Sequence, residues 1–159
     1  MSTLLPRLVL FICFAFVFEA FAIGQNLTPK ELTDIHKNPD VAAITRKLSE
    51  KGFKQYSAGQ KESRWYFQPF TYSGEEVSSC VIKSMDSNRQ AKTVFFLYNP
   101  FHYKEFISNL KKYNYRFKGI EVIEDKSYTV FENKQTVFMT REQPSGRNKN
   151  YFEIIVHSK

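Results

Sequence analysis

The side chains that most often carry catalysis are sparse in this sequence. Three histidines, His36, His102 and His157, lie far apart, and so do the two cysteines, Cys13 and Cys80. Zinc needs three or four nitrogen, sulfur or carboxylate ligands that converge, usually from short paired spacings, and no Cys or His pair stands at such a spacing. No metal site is expected. Phosphate loops are built on clustered glycines, whereas the six glycines here are isolated and suit turns. The G-x-S-x-G elbow of serine hydrolases is absent, and Cys80 has no thiol-hydrolase signature around it. The adjacent acids Glu75-Glu76 and Glu124-Asp125 fall in expected turns, where carboxylates are solvated. His102, just after a helix start at Asn99-Pro100, is the one base worth singling out, and no nucleophile is identifiable beside it. The catalytic, cofactor and metal assignments are therefore empty. A secreted hydrolase with a dispersed active site is the alternative, since such sites are recognised by geometry rather than by motif.

Aromatic residues are the richest feature: sixteen Phe, nine Tyr and one Trp. They concentrate in Arg64-Trp65-Tyr66-Phe67-Gln68-Pro69-Phe70-Thr71-Tyr72 and in Tyr113-Asn114-Tyr115-Arg116-Phe117-Lys118. Rings interleaved with cations can stack on flat ligands while the cations hold phosphate or carboxylate. The same alternation also describes a strand with one buried and one solvated face. In a regular strand Tyr66, Phe70 and Tyr72 share one face, and Trp65 and Phe67 take the other. Trp65, Tyr66, Phe70, Tyr72, Tyr115 and Arg116 are the candidate partner-binding residues.

The setting of these residues is read from the start of the chain. Leu8 to Phe18 is an uninterrupted apolar run behind Arg7, and it stops at Glu19. A membrane-spanning helix takes about 20 apolar residues, and this run is about half that length. Ala20-Phe21-Ala22 then offers small residues where signal peptidase requires them. Residues 1–22 read as a cleavable signal peptide, so the protein is expected to be exported, periplasmic or secreted, with no membrane span after cleavage. Cleavage removes Cys13 and leaves Cys80 without an intramolecular partner, in a strand-like run that suits a buried, inert thiol. About 137 residues remain, enough for one domain with its own core.

Lys and Arg number 23 against 16 Asp and Glu, a formal charge of +7. Arg7 and Glu19 leave together, so the balance survives cleavage. A basic surface favours anionic partners. The expected partners are a protein or an anionic envelope or glycan surface; export and the missing RRM signature argue against nucleic acid.

The elements that must position these residues show a repeated grammar. Residues 23–38 form a lead-in with a short helix, in which Thr28 caps, Pro29 starts and Glu31 closes the capping box. A single α+β domain follows over 39–159. Asn38-Pro39 and Asn99-Pro100 each open an amphipathic helix, and Gly52 and Asn114 each offer the left-handed residue that ends one. Period-two runs then follow four times in each half, separated by turn residues. The expected fold has two similar halves, about 39–98 and 99–159, each one helix followed by about four antiparallel strands. The helices are expected on one face of the sheet.

The functional expectation is an exported, non-enzymatic binding or inhibitory module. Its compartment is directly testable. Expression in a secreting host should yield a soluble chain whose N-terminal sequence begins at Ile23; a membrane-retained chain that keeps Met1 would contradict the signal reading.

Overall fold

The computed structural model describes residues 26–59, 61–67, 79–85, 90–145 and 149–159. Among them are three helices, α1 (Pro29–Lys37), α2 (Val41–Glu50) and α3 (Pro100–Lys112). Eight strands accompany them: β1 (Lys54–Ala58), β2 (Glu62–Phe67), β3 (Ser79–Met85), β4 (Ala91–Leu97), β5 (Arg116–Ile123), β6 (Lys126–Glu132), β7 (Thr136–Ser145) and β8 (Lys149–Ser158). All eight belong to one antiparallel sheet in the order β1-β2-β3-β4-β8-β7-β6-β5. The chain is α+β, with strand the larger part.

The helix ends follow from their sequence. Thr28 caps α1 with Pro29 in the first turn, and the Glu31 side chain reaches back to the Thr28 N–H. The second helix begins later than the Asn38-Pro39 pair suggests. Asp40 is its cap, accepting from the Ala42 and Ala43 N–H groups at 2.8 and 3.2 Å, while Asn38 Oδ1 accepts from the Asp40 N–H. A carboxylate at the cap also complements the positive end of the helix dipole. Asn99 caps α3 in the expected way, accepting from the Phe101 N–H.

Both α2 and α3 end in the same hydrogen-bonded turn. Gly52 (φ 84°) and Asn114 (φ 61°) take the left-handed conformation. The next N–H, from Phe53 or Tyr115, returns to the carbonyl of Leu48 or Leu110 at 3.0 Å. This is the Schellman pattern, which satisfies carbonyls the helix leaves open. Each following strand is bulged, β1 between Gln55 and Ser57 and β5 between Phe117 and Gly119.

Buried residues alternate along the strands between two clusters, as the period of two requires. The larger cluster joins Leu32, Ile44, Leu48, Phe106 and Leu110 of the helices to strand residues that include Trp65, Phe95 and Ile154. The smaller cluster consists of strand residues, Val94, Tyr128, Val130, Met139 and Ile155. Helix α1, expected as a lead-in, packs into the larger cluster through Leu32 and Ile35 and touches both β4 and β8. Its last carbonyls are capped by a side chain from the sheet: Lys83 Nζ donates to the Ile35 and His36 carbonyls at 2.8 and 2.9 Å and to that of Asn38. A cation there complements the negative helix end.

Buried His36 lies beside that cation, hydrogen-bonded to Thr93 Oγ1 on β4 (3.2 Å) and Ser158 Oγ on β8 (3.0 Å). Burial, with Lys83 adding repulsion, lowers its pKa to about 4. The folded state therefore resists protonation that the unfolded chain accepts near pH 6.5. This contribution to stability is complete above pH 6.5 and is lost as pH falls toward 4. Chemical denaturation should show up to about 3 kcal/mol lost from this group over that interval. His36→Gln, which cannot titrate, should flatten that part of the profile; an unchanged slope would assign it elsewhere.

Candidate functional site: a basic cleft beside helix α3

The C-terminal end of α3, the start of β5, the β6–β7 turn and Lys159 enclose a cleft of about 850 Å³. Its walls carry Lys111, Arg116, Lys134 and Lys159 against one carboxylate, Glu132. Lys159 Nζ lies 2.9 Å from Glu132 Oε2 and Lys118 Nζ 3.7 Å from it. The Lys159 contact holds the Glu132 carboxyl below the usual carboxylate range. Glu132 is thus already neutralised by two cations. No carboxylate among the described residues pairs with Lys111, Arg116 or Lys134. Tyr113 and the amides of Asn114, Asn133 and Gln135 complete the lining.

The cleft floor is preorganised. Asn133 Oδ1 accepts from the Gln135 and Thr136 N–H groups at 2.8 and 2.9 Å, which pins the β6–β7 turn. Lys37 Nζ donates to Gln135 Oε1 at 2.7 Å and brings a further cation near the rim. Tyr115 is only 5% exposed, and its hydroxyl contacts Thr33 Oγ1 at 3.1 Å. Its ring packs edge-on against Phe138, so Tyr115 supports the cleft wall.

The corresponding end of the first meander is filled. Ladder pairing sets Lys54 opposite Tyr66 and Arg116 opposite Glu132, so the next residue is Phe67, the last of β2, in one hairpin and Asn133, just past the end of β6, in the other. Phe67 packs edge-on to Phe53 and lies over Gly52, where an added Cβ would come within 2.9 Å of its ring. Glycine therefore serves twice at position 52, by its left-handed φ and by admitting that ring. At the end of α3 the left-handed residue is Asn114, and with Asn133 it borders the cleft.

The other residues singled out in the sequence occupy different places. Trp65 is 0% exposed in the core, its indole N–H donating to Thr45 Oγ1 at 3.0 Å, so its ring presents no surface to a partner. Tyr66 points to the opposite face, edge-on to Tyr56. Arg116 is exposed on the cleft wall. Phe70 and Tyr72 lie outside the described residues. The structure thus brings Tyr115 and Arg116 together and separates them from Trp65 and Tyr66. Lys111, Asn133, Lys134, Gln135 and Lys159 were not singled out in the sequence, because only the β5–β6–β7 pairing gathers them.

The face shared by Tyr66 carries a ladder of opposed residues, Tyr66, Cys80, Phe96, Glu153 and Arg141. Arg141 and Glu153 are ion-paired and largely buried, with the guanidinium 5.1 Å from the Tyr128 ring centre. Burial pushes the Cys80 thiol up to about 11, the state of an inert thiol. His102 Nδ1 accepts from the Asn26 amide at 2.8 Å, and that amide also donates to Glu105 Oε2 at 2.6 Å. No hydroxyl or thiol among the described residues is bonded to His102. The described residues contain no group of three or more His, Cys, Asp or Glu able to hold a metal ion, and no helix long and apolar enough to cross a membrane. Comparison with protein-family models, curated proteins and solved structures produced no match.

The contrast between the two helix ends is measurable. Gly52→Ala should cost about 1–2 kcal/mol, from the left-handed backbone and from displacing Phe67. Asn114→Gly should change stability by no more than about 0.5 kcal/mol, since both residues tolerate that conformation. Equal costs in denaturant unfolding would refute the distinction.

Proposed function

We propose that the protein is an exported, non-enzymatic binding module whose working site is the basic cleft, and that its ligand is an anionic glycan. The observation that carries this reading is the charge of Lys111, Arg116 and Lys134, unpaired with any carboxylate among the described residues, around a cleft whose lining carboxylate, Glu132, is already engaged. Cations at such a site attract carboxylate or sulfate groups, and the planar Arg116 guanidinium suits bidentate contact. The half-exposed Tyr113 ring offers a stacking surface, and the Asn and Gln amides offer partners for hydroxyl groups. Export, inferred from residues 1–22, sets such a site facing envelope or extracellular polyanions.

We infer further that the two meanders are copies of one helix-plus-four-strand unit, with the helices on one face of the sheet. Three correspondences support this at a constant offset of 62: the Gly52 and Asn114 turns, the Leu48 and Leu110 carbonyl acceptors, and the bulges at Gln55/Ser57 and Phe117/Gly119. On this reading one copy kept its helix end plugged by Phe67 and the other opened it for binding.

Titration calorimetry with a uronate hexasaccharide separates a cleft from diffuse attraction. Replacing Lys111, Arg116 and Lys134 by alanine should weaken binding at least tenfold, with the melting temperature preserved. Replacing Lys54, Lys61 and Lys92 by alanine removes the same charge elsewhere and should change affinity less than threefold. Equal losses would mean that net charge alone binds the ligand. Tighter binding of a polyglutamate peptide than of the saccharide would reassign the partner to an acidic protein.

A further inference from the structure

The two outer strands of the sheet differ in how they are protected. An edge strand exposes a row of unpaired N–H and C=O groups, and monomeric proteins blunt such edges with short strands, lysines, prolines or bulges. β1 follows that rule: it has five residues, begins with Lys54 and carries a bulge between Gln55 and Ser57. β5 does not. It has eight residues, and beyond its bulge the run Ile120-Glu121-Val122-Ile123 pairs regularly with β6, while no other strand among the described residues pairs with its outer edge. Phe117, Ile120 and Val122 are 63, 69 and 68% exposed. Their partners in β6 place all three on the same side of the sheet, opposite Phe131, Thr129 and Ser127.

The strand is also polar end to end in charge. Arg116 stands at its start and Glu124 and Asp125 at its finish, the last two in the tight left-handed turn into β6, while Lys118 and Glu121 between them pair within the chain at 3.3 Å. Two such strands laid antiparallel set the basic start of each beside the acidic finish of the other, whereas a parallel arrangement opposes like charges. Opposite-charge cross-strand pairs stabilise and like pairs destabilise.

We propose that β5 is a self-association edge: two copies of the chain pair antiparallel along β5 about a two-fold axis, joining their sheets into one. Backbone hydrogen bonds supply the attachment, the Ile120 and Val122 side chains of the two copies cover each other, and the charge gradient selects the antiparallel sense. This edge adjoins the cleft and shares Arg116 with it, but Ile120 and Val122 lie outside the cleft lining, so their substitution tests self-association without touching the glycan reading.

Light scattering coupled to size exclusion tests the proposal on the full exported chain. The wild type should move from one-chain to two-chain mass as concentration rises into the high micromolar range. Ile120→Lys with Val122→Lys should hold it at one-chain mass while the thermal melt is unchanged, since both side chains are exposed. Arg116→Glu alone and Glu124→Lys alone should each weaken self-association, and an equimolar mixture of the two variants should restore a two-chain species. A wild type that stays monomeric at every concentration, a dimer that survives the Ile120/Val122 change, or a mixture that fails to associate would each overturn the proposal.

Discussion

The ladder between β4 and β8 is the seam on which the rest of the architecture depends. Each is the last strand of its own meander, and their pairing of Thr93 with Val156 through Leu97 with Phe152 turns two four-stranded sheets into one. The seam also runs through the core, where Phe95, Leu97, Ile154 and Val156 are all enclosed. Its partners are about sixty residues apart, so the entropy of closing that loop opposes it until both meanders exist. Helix α1 lies across it: Leu32 and Ile35 bury into the shared cluster, and the His36 ring bonds β4 through Thr93 and β8 through Ser158. The neutral imidazole and its neighbour Lys83 thus tie the first helix to both halves of the sheet.

Much of this framework was legible in the sequence, for local reasons. The capping box at Thr28, the stops at Gly52 and Asn114 and the eight period-two runs are short-range signals, and the structure has elements at each of them. The α2 start moved to Asp40 because a carboxylate two residues after Asn38 makes the better cap. Trp65 was harder to judge. Its alternation with Tyr66 states that they lie on opposite faces but not which face the helices cover, and the indole bond to Thr45 depends on where α2 lands. The cleft was half visible, through Tyr115 and Arg116. Its remaining cations, Lys111, Lys134 and Lys159, come from three separate segments, and no periodicity joins residues that meet only across a ladder.

Registers make the two ends of the molecule comparable. The same turn and the same bulge lead out of α2 and out of α3, but a phenyl ring fills the first site where an asparagine stands in the second. Phe67 contributes to the core and makes the first end a structural element. Asn133 spends its carbonyl on its own turn and leaves the space beside it to solvent and to the lysines around it. Under the proposed function, the excess of positive charge in the whole chain would draw polyanions toward the surface, and the cleft cations would hold them in a defined geometry.

An amide-resolved NMR titration with the uronate hexasaccharide distinguishes binding at one helix end from binding at both. The account predicts saturable shifts at Tyr113, Asn114, Arg116 and Asn133 to Gln135, with Gly52, Lys54 and Phe67 unmoved. Equal shifts at both ends, or weak shifts spread over lysines on every surface, would contradict it.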